Sequence, residues 1–176
     1  MGFKEKIYHF LPAFSKTIAA SLWGYYLKNL RYGNDLEMHV NEAKTREHWD
    51  VDRWNIFRKK RLAEILHHAA TQVPYYRNYW ENQRILGNFS NIGKLENWPI
   101  LSKETVRKNQ ELFVAEECNT SKMYEDHTSG TSGKPLLIYQ TKDSIQYWYA
   151  LVEARWRKWY SVSRKDRWAL FGGQVV

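Results

Sequence analysis

The chain has 176 residues, 43% of them hydrophobic and 26% charged, a balance that excludes a disordered polymer and suits one ordinary globular domain or part of a larger one. A net charge of +8 favours anionic partners (nucleotides, nucleic acid or an acidic membrane surface) without choosing among them. The single cysteine, Cys118, excludes an internal disulfide and fits a reducing compartment.

In chain order, the first expected element is a helix. From Phe3 to Leu30 large apolar residues recur, and Phe10, Phe14, Ile18, Leu22 and Tyr26 stand four apart, the spacing of one slowly drifting helical face. Lys4, Lys6, Lys16 and Lys28 lie around that face. It can pack against the rest of the protein or lie on an anionic membrane. No apolar run reaches the length of a bilayer span, and no cleavage site follows the uncharged stretch Thr17–Leu27. Lys6 stands where a myristoylation motif needs Ser or Thr. Tyr32-Gly33-Asn34-Asp35 then breaks the helix.

A second helix is expected over Val51–Gln72, with Leu62, Ile65, Leu66, Ala69 and Val73 as its apolar stripe. The basic run Arg58–Arg61 winds around it and reads as a solvated collar, because no nucleic-acid motif accompanies it. Pro74 ends this helix and opens the next, Tyr75–Trp80. His67 and His68 are adjacent, so they point apart and form no metal pair; no metal site is expected. Residues 87–98 read as a connection. Ser102 is placed to cap a short helix, Lys103–Asn109, with Glu104 in its first turn.

Leu136–Tyr139 reads as a buried strand, followed by a long helix, Ser144–Tyr160, capped by Thr141 or Asp143. Its stripe is Ile145, Trp148, Tyr149, Val152, Trp156 and Trp159, with Glu153 and Arg157 spaced for an ion pair. Trp168–Phe171 reads as another buried strand. Strand, helix, strand at this spacing is the crossover unit of an α/β fold. Aromatics reach 16%; burial in a core is their first use, and stacking on a sugar or base the alternative.

One stretch carries chemistry: His-Thr-Ser-Gly-Thr-Ser-Gly-Lys-Pro at 127–135. Thr128, Ser129, Thr131 and Ser132 offer hydroxyl donors, Gly130 and Gly133 free the backbone, and Lys134 adds a cation before Pro135 sends the chain on extended. That suits a polyphosphate. It is not the G-x-x-x-x-G-K-[ST] loop, since two residues separate the glycines and Pro135 replaces the magnesium-binding hydroxyl.

The string T-S-G-T-S-G-K-P, followed by an apolar strand and a helix, resembles the signature loop of the adenylate-forming (acyl-activating, AMP-binding) enzyme superfamily. HAATQVPYYRNYW (68–80), WPILSKETVRKN (98–109) and HTSGTSGKPLLIYQTKDSIQYW (127–148) resemble its phenylacetate-CoA ligase-like branch. Within that branch they are most similar to CapK-type proteins of capsular polysaccharide synthesis, and the terminal FGGQVV fits the same group. The resemblance implies attack of a carboxylate on the α-phosphate of ATP with Mg, then transfer of the acyl group to CoA or another acceptor. It also implies that Thr128, Ser129, Thr131 and Ser132 hydrogen-bond phosphate oxygens. Gly130 and Gly133 would allow close approach, and Lys134 would offset charge as pyrophosphate leaves. Leu136 stands where many superfamily members carry lysine, a departure that matches the phenylacetate-like branch.

An aromatic-Gly-x-Thr-Glu adenine segment, a ribose-binding aspartate and the catalytic lysine of a C-terminal domain are absent from these 176 residues. The expectation is therefore a truncated α/β chain. A helical N-terminal region (1–97) would lead into the start of the AMP-binding subdomain (98–176), holding no catalytic residue and inactive alone. A small carboxylate and a nucleotide are the expected partners, and the cytoplasm the expected location. The alternative is a non-catalytic basic module of polysaccharide synthesis, peripheral at the inner face of the membrane; a nucleic-acid binder ranks last.

Overall fold

The computed structural model describes residues 12–128 and 135–167. Helices dominate: α1 (Ala13–Arg31), α2 (Leu36–Glu47), α3 (Val51–Gln72), α4 (Pro74–Ile85), α5 (Lys103–Lys108) and α6 (Lys142–Leu151). The last continues through a π-helical segment, Val152–Arg157. Between α5 and α6 lie two short strands, β1 (Tyr124–His127) and β2 (Leu137–Gln140), paired antiparallel with Tyr124 opposite Gln140 and His127 opposite Leu137. A mostly helical chain with a small sheet is compatible with part of an α/β fold. Of the expected crossover unit, the first strand and the helix are present, while Trp168–Phe171 lies outside the described residues. The chain divides into two compact units, one built from both ends of the sequence and one from His48–Thr141.

In the first unit, α2 packs along α6 and its π-helical continuation, and α1 also packs on α6. Leu36, Val40 and Ala43 recur at helical spacing on α2 and meet Ala150 and Ala154, all buried. Tyr32, Tyr149 and Leu151 pack against this seam. Small residues on both helices allow a close approach, and Gly33 tightens it further. A Cβ there would lie 2.8 Å from Cδ of Gln146, a side chain only 1% exposed. Polar links border the seam: His39 Nε2 lies 3.1 Å from Asp143 Oδ1, and Arg46 donates to the Tyr147 hydroxyl at 3.3 Å.

Two features of this unit depart from expectation. Helix α2 was not anticipated, because its apolar residues are sparse within a polar sequence. The buried face of α6 and its π-helical continuation is Ile145, Gln146, Ala150 and Ala154, whereas Trp148, Trp156 and, just beyond, Trp159 are exposed. A narrow helix–helix seam accepts alanine and rejects indole, so the largest side chains turn outward. Trp148 and Trp156 then pack edge-on, centroids 5.6 Å apart. The expected Glu153–Arg157 pair forms at 2.9 Å.

The second unit opens with α3, whose N-cap Asp50 accepts the Arg53 N–H at 2.7 Å. The helix ends at Gln72, and Pro74 occupies the first turn of α4, where its missing N–H costs nothing. Leu66 and Val73 of the expected stripe are buried, while Leu62 and Ile65 remain exposed. Arg58 to Arg61 are exposed, Arg58 bonded to Asn55 and Arg61 to Glu64. Rings fill much of the space beside α4: Tyr75 stacks on Phe113 at 4.3 Å, and Trp98 meets both Tyr76 and Trp80 edge-on. Burial there, with the neighbouring Tyr75, pushes the Tyr76 phenol above its ordinary pKa. Ser102 caps α5 as expected, accepting the Thr105 N–H at 3.0 Å.

Candidate phosphate-binding hairpin

The hydroxyl- and glycine-rich loop joins β1 to β2. Strand β1, Tyr-Glu-Asp-His, is polar and carries none of the apolar alternation that marks a strand. It forms by pairing in register with β2, which bonds the backbone groups on that edge. Asp126 adds local order, accepting the His127 N–H at 2.8 Å and the Gln140 amide at 3.1 Å.

At the mouth of the loop the ladder changes character. The Thr128 N–H donates to the Leu136 carbonyl at 3.0 Å, as a strand residue would. The returning Leu136 N–H donates to Thr128 Oγ1, also at 3.0 Å. A side-chain oxygen thus stands in for a backbone carbonyl and closes the hairpin around 129–134. Its hydroxyl hydrogen remains for another acceptor, so Thr128 can hold the loop and donate to a phosphate oxygen together. This stapling role was not legible in the sequence, where Thr128 reads only as one hydroxyl among four. Of the expected phosphate contacts, Ser129, Gly130, Thr131, Ser132, Gly133 and Lys134 lie outside the described residues.

Beside the hairpin base, β2 and the segment after α5 enclose an apolar recess of about 250 Å³, lined in part by Phe113, Cys118, Met123, Leu136 and Ile138. Cys118 is half-buried there as a free thiol. The same segment is tied to the start of α4: Arg77 grips Glu116 through two bonds, 2.6 and 2.7 Å, and the Glu116 N–H donates to the Gln72 carbonyl at 2.9 Å. Among the described residues, no group of three or more His, Cys, Asp or Glu side chains is placed to hold a metal ion. Nor is any helix among them long and apolar enough to cross a membrane.

The chain is similar to the phenylacetate-coenzyme A ligase of Escherichia coli (strain K12), with 27% identity over 105 residues. The matched region is 58% of this chain and 24% of that ligase, so the chain spans about a quarter of the relative's length. No family model matches, and no solved structure matches. The likeness supports a distant relationship to the adenylate-forming superfamily and reaches no finer level.

Proposed function

We propose that the β1–β2 hairpin is the phosphate-gripping element of an ATP-dependent carboxylate-activating protein. The observation that carries this reading is the Thr128–Leu136 closure, which fixes a Ser/Thr/Gly/Lys loop to two paired strands and leaves a hydroxyl hydrogen at its mouth. The reaction would be acyl-adenylate formation followed by transfer to CoA or another acceptor, and phenylacetate is the first carboxylate to try. Magnesium would arrive on the nucleotide phosphates, its favoured oxygen ligands. Lys134 would balance the charge that develops on departing pyrophosphate. A narrower role in capsular or exopolysaccharide synthesis rests on the segment resemblance alone.

The test is direct MgATP binding to this chain, run beside carboxylate-dependent exchange of pyrophosphate into ATP by the complete protein, each with and without Lys134→Ala. Loss of one charge-stabilising donor should lower exchange about a hundredfold. Undiminished exchange in the variant removes Lys134 from the mechanism. Absence of both exchange and MgATP binding in the unsubstituted protein sinks the whole reading.

One observation favours a second, compatible role as a peripheral membrane module. On α1, Phe14, Ile18, Leu22 and Tyr25 all project outward, Phe14 at 77% and Leu22 at 65% exposed. They span an arc of about 80° on the helix wheel. The helix carries Lys16, Lys28 and Arg31 and no acidic residue. An apolar stripe with aromatic residues and only positive charge is suited to an anionic lipid surface.

A further inference from the structure

We propose that a concave pocket in the first unit, remote in sequence from the glycine loop, binds a phosphate-bearing anion. The pocket has a volume of about 320 Å³, and its charged lining is Lys44, Lys158, Arg164 and Lys165 against Glu37 and Glu153.

Its two carboxylates are already committed. Glu153 accepts the Arg157 guanidinium at 2.9 Å and the Arg164 backbone N–H at 3.0 Å. Burial works against the Arg157 charge, but its bonds to Glu153 and to the Tyr32 hydroxyl outweigh that and hold its pKa above the ordinary value. Glu37 accepts the Arg164 guanidinium at 2.7 Å. The ammonium groups of Lys44, Lys158 and Lys165, by contrast, have no hydrogen-bond or ion-pair partner among the described residues, and Lys44 is half-buried.

The backbone builds this arrangement deliberately. After the π-helical segment the chain reverses through Ser161, the one non-glycine residue with positive φ (56°) among the described residues. The Val162 N–H returns to the Arg157 carbonyl at 3.0 Å, and the Ser163 N–H to Asp166 at 2.7 Å. This turn sets Ser163, Arg164 and Lys165 in the same lining as Lys158 and α2. Ser163 Oγ accepts the Lys165 N–H at 3.2 Å and keeps its own hydrogen to donate. Three lysines without a partner among the described residues, Lys44 half-buried and Lys158 and Lys165 exposed, line one concavity with a hydroxyl and suit a multiply charged oxyanion. A phosphate group offers one more acceptor oxygen and up to one more charge than a carboxylate, and so matches such a donor set better. The concave wall also focuses the positive potential on that ligand.

The test uses pyrophosphate as a soluble probe and short-chain phosphatidylglycerol, below its micelle concentration, as a headgroup probe. All titrations are made in the Lys134→Ala background, which weakens binding at the glycine loop, and each variant is compared with that background so that residual loop binding is common to both. Lys44→Gln/Lys158→Gln/Lys165→Gln should weaken binding about tenfold or more, while Arg58→Gln/Lys59→Gln/Lys60→Gln, an equal loss of charge on α3, should change it less than about twofold. Loss confined to the lipid probe assigns the anion to a headgroup, and loss confined to pyrophosphate assigns it to a soluble phosphate; either result supports the pocket. Without the lysine substitutions, a bound probe should slow acetylation of Lys44, which keeps the test sound if the triple variant misfolds. Equal weakening by both triple variants, or no protection of Lys44, overturns the proposal.

Discussion

Thr128 shows how much one hydroxyl can settle. It replaces a backbone carbonyl at the mouth of the hairpin, so Thr128→Val should leave the Leu136 N–H without its acceptor. The cost is about 1 kcal/mol, and Leu136 amide exchange should speed up about fivefold, with Thr128→Ser close to the parent. At the Arg77–Glu116 pair, the bond from Arg77 is the main reason the Glu116 carboxyl sits below its ordinary pKa. A depressed native value means the pair's contribution is complete above the unfolded pKa, about 4.3. It is lost as pH falls through the lower native value. Glu116 is exposed and Arg77 only half-buried, so the contribution is small; carboxyl NMR titration should show Glu116 returning to the ordinary range in Arg77→Gln. Neither role could be read from the chain. Thr128 looks like its three neighbouring hydroxyls, and Arg77 and Glu116 are separated by 39 positions.

At the scale of elements, legibility followed local chemistry. Helix α3 was readable to its ends because Pro74 marks one boundary and the apolar spacing fills the interior. Ser102 announced α5 for the same reason. Helix α2, strand β1 and the buried face of α6 were not readable, since each is decided by a partner distant in sequence. β1 has no apolar alternation until β2 pairs with it. The face of α6 is selected by its close seam with Leu36, Val40 and Ala43 of α2, against the simple preference for burying tryptophan. That seam makes its own prediction. Ala43 is fully buried, and Ala43→Leu should destabilise the first unit by about 1–3 kcal/mol through overpacking, measured by urea denaturation. An exposed substitution at the end of the same helix, Glu47→Gln, should shift the midpoint little.

For the whole molecule, the balance of +8 is distributed unevenly in its use. In the exposed Arg58–Arg61 collar the two arginines have local partners, whereas the lysines of the first unit's pocket share a concave wall and have no partner among the described residues, and α1 carries positive charge beside an exposed apolar stripe. If α1 rests on a membrane, the protein should co-sediment with vesicles containing anionic lipid and much less with neutral ones. Ile18→Glu/Leu22→Glu, both at exposed positions, should abolish that binding without altering the fold. Equal binding to neutral and anionic vesicles would count against the charge-directed membrane role, and binding to neither would remove it.

The first unit is also discontinuous, and this matters while the chain is being made. His39 and its partner Asp143 are 104 residues apart. At a synthesis rate of about 5–20 residues per second, α2 waits about 5–20 s before α6 emerges to cover it. Throughout that interval, while the second unit emerges, Leu36, Val40 and Ala43 have no seam to enter. Nascent chains halted between residues 100 and 140 should therefore recruit holding chaperones, and release them once residue 154 has cleared the exit tunnel.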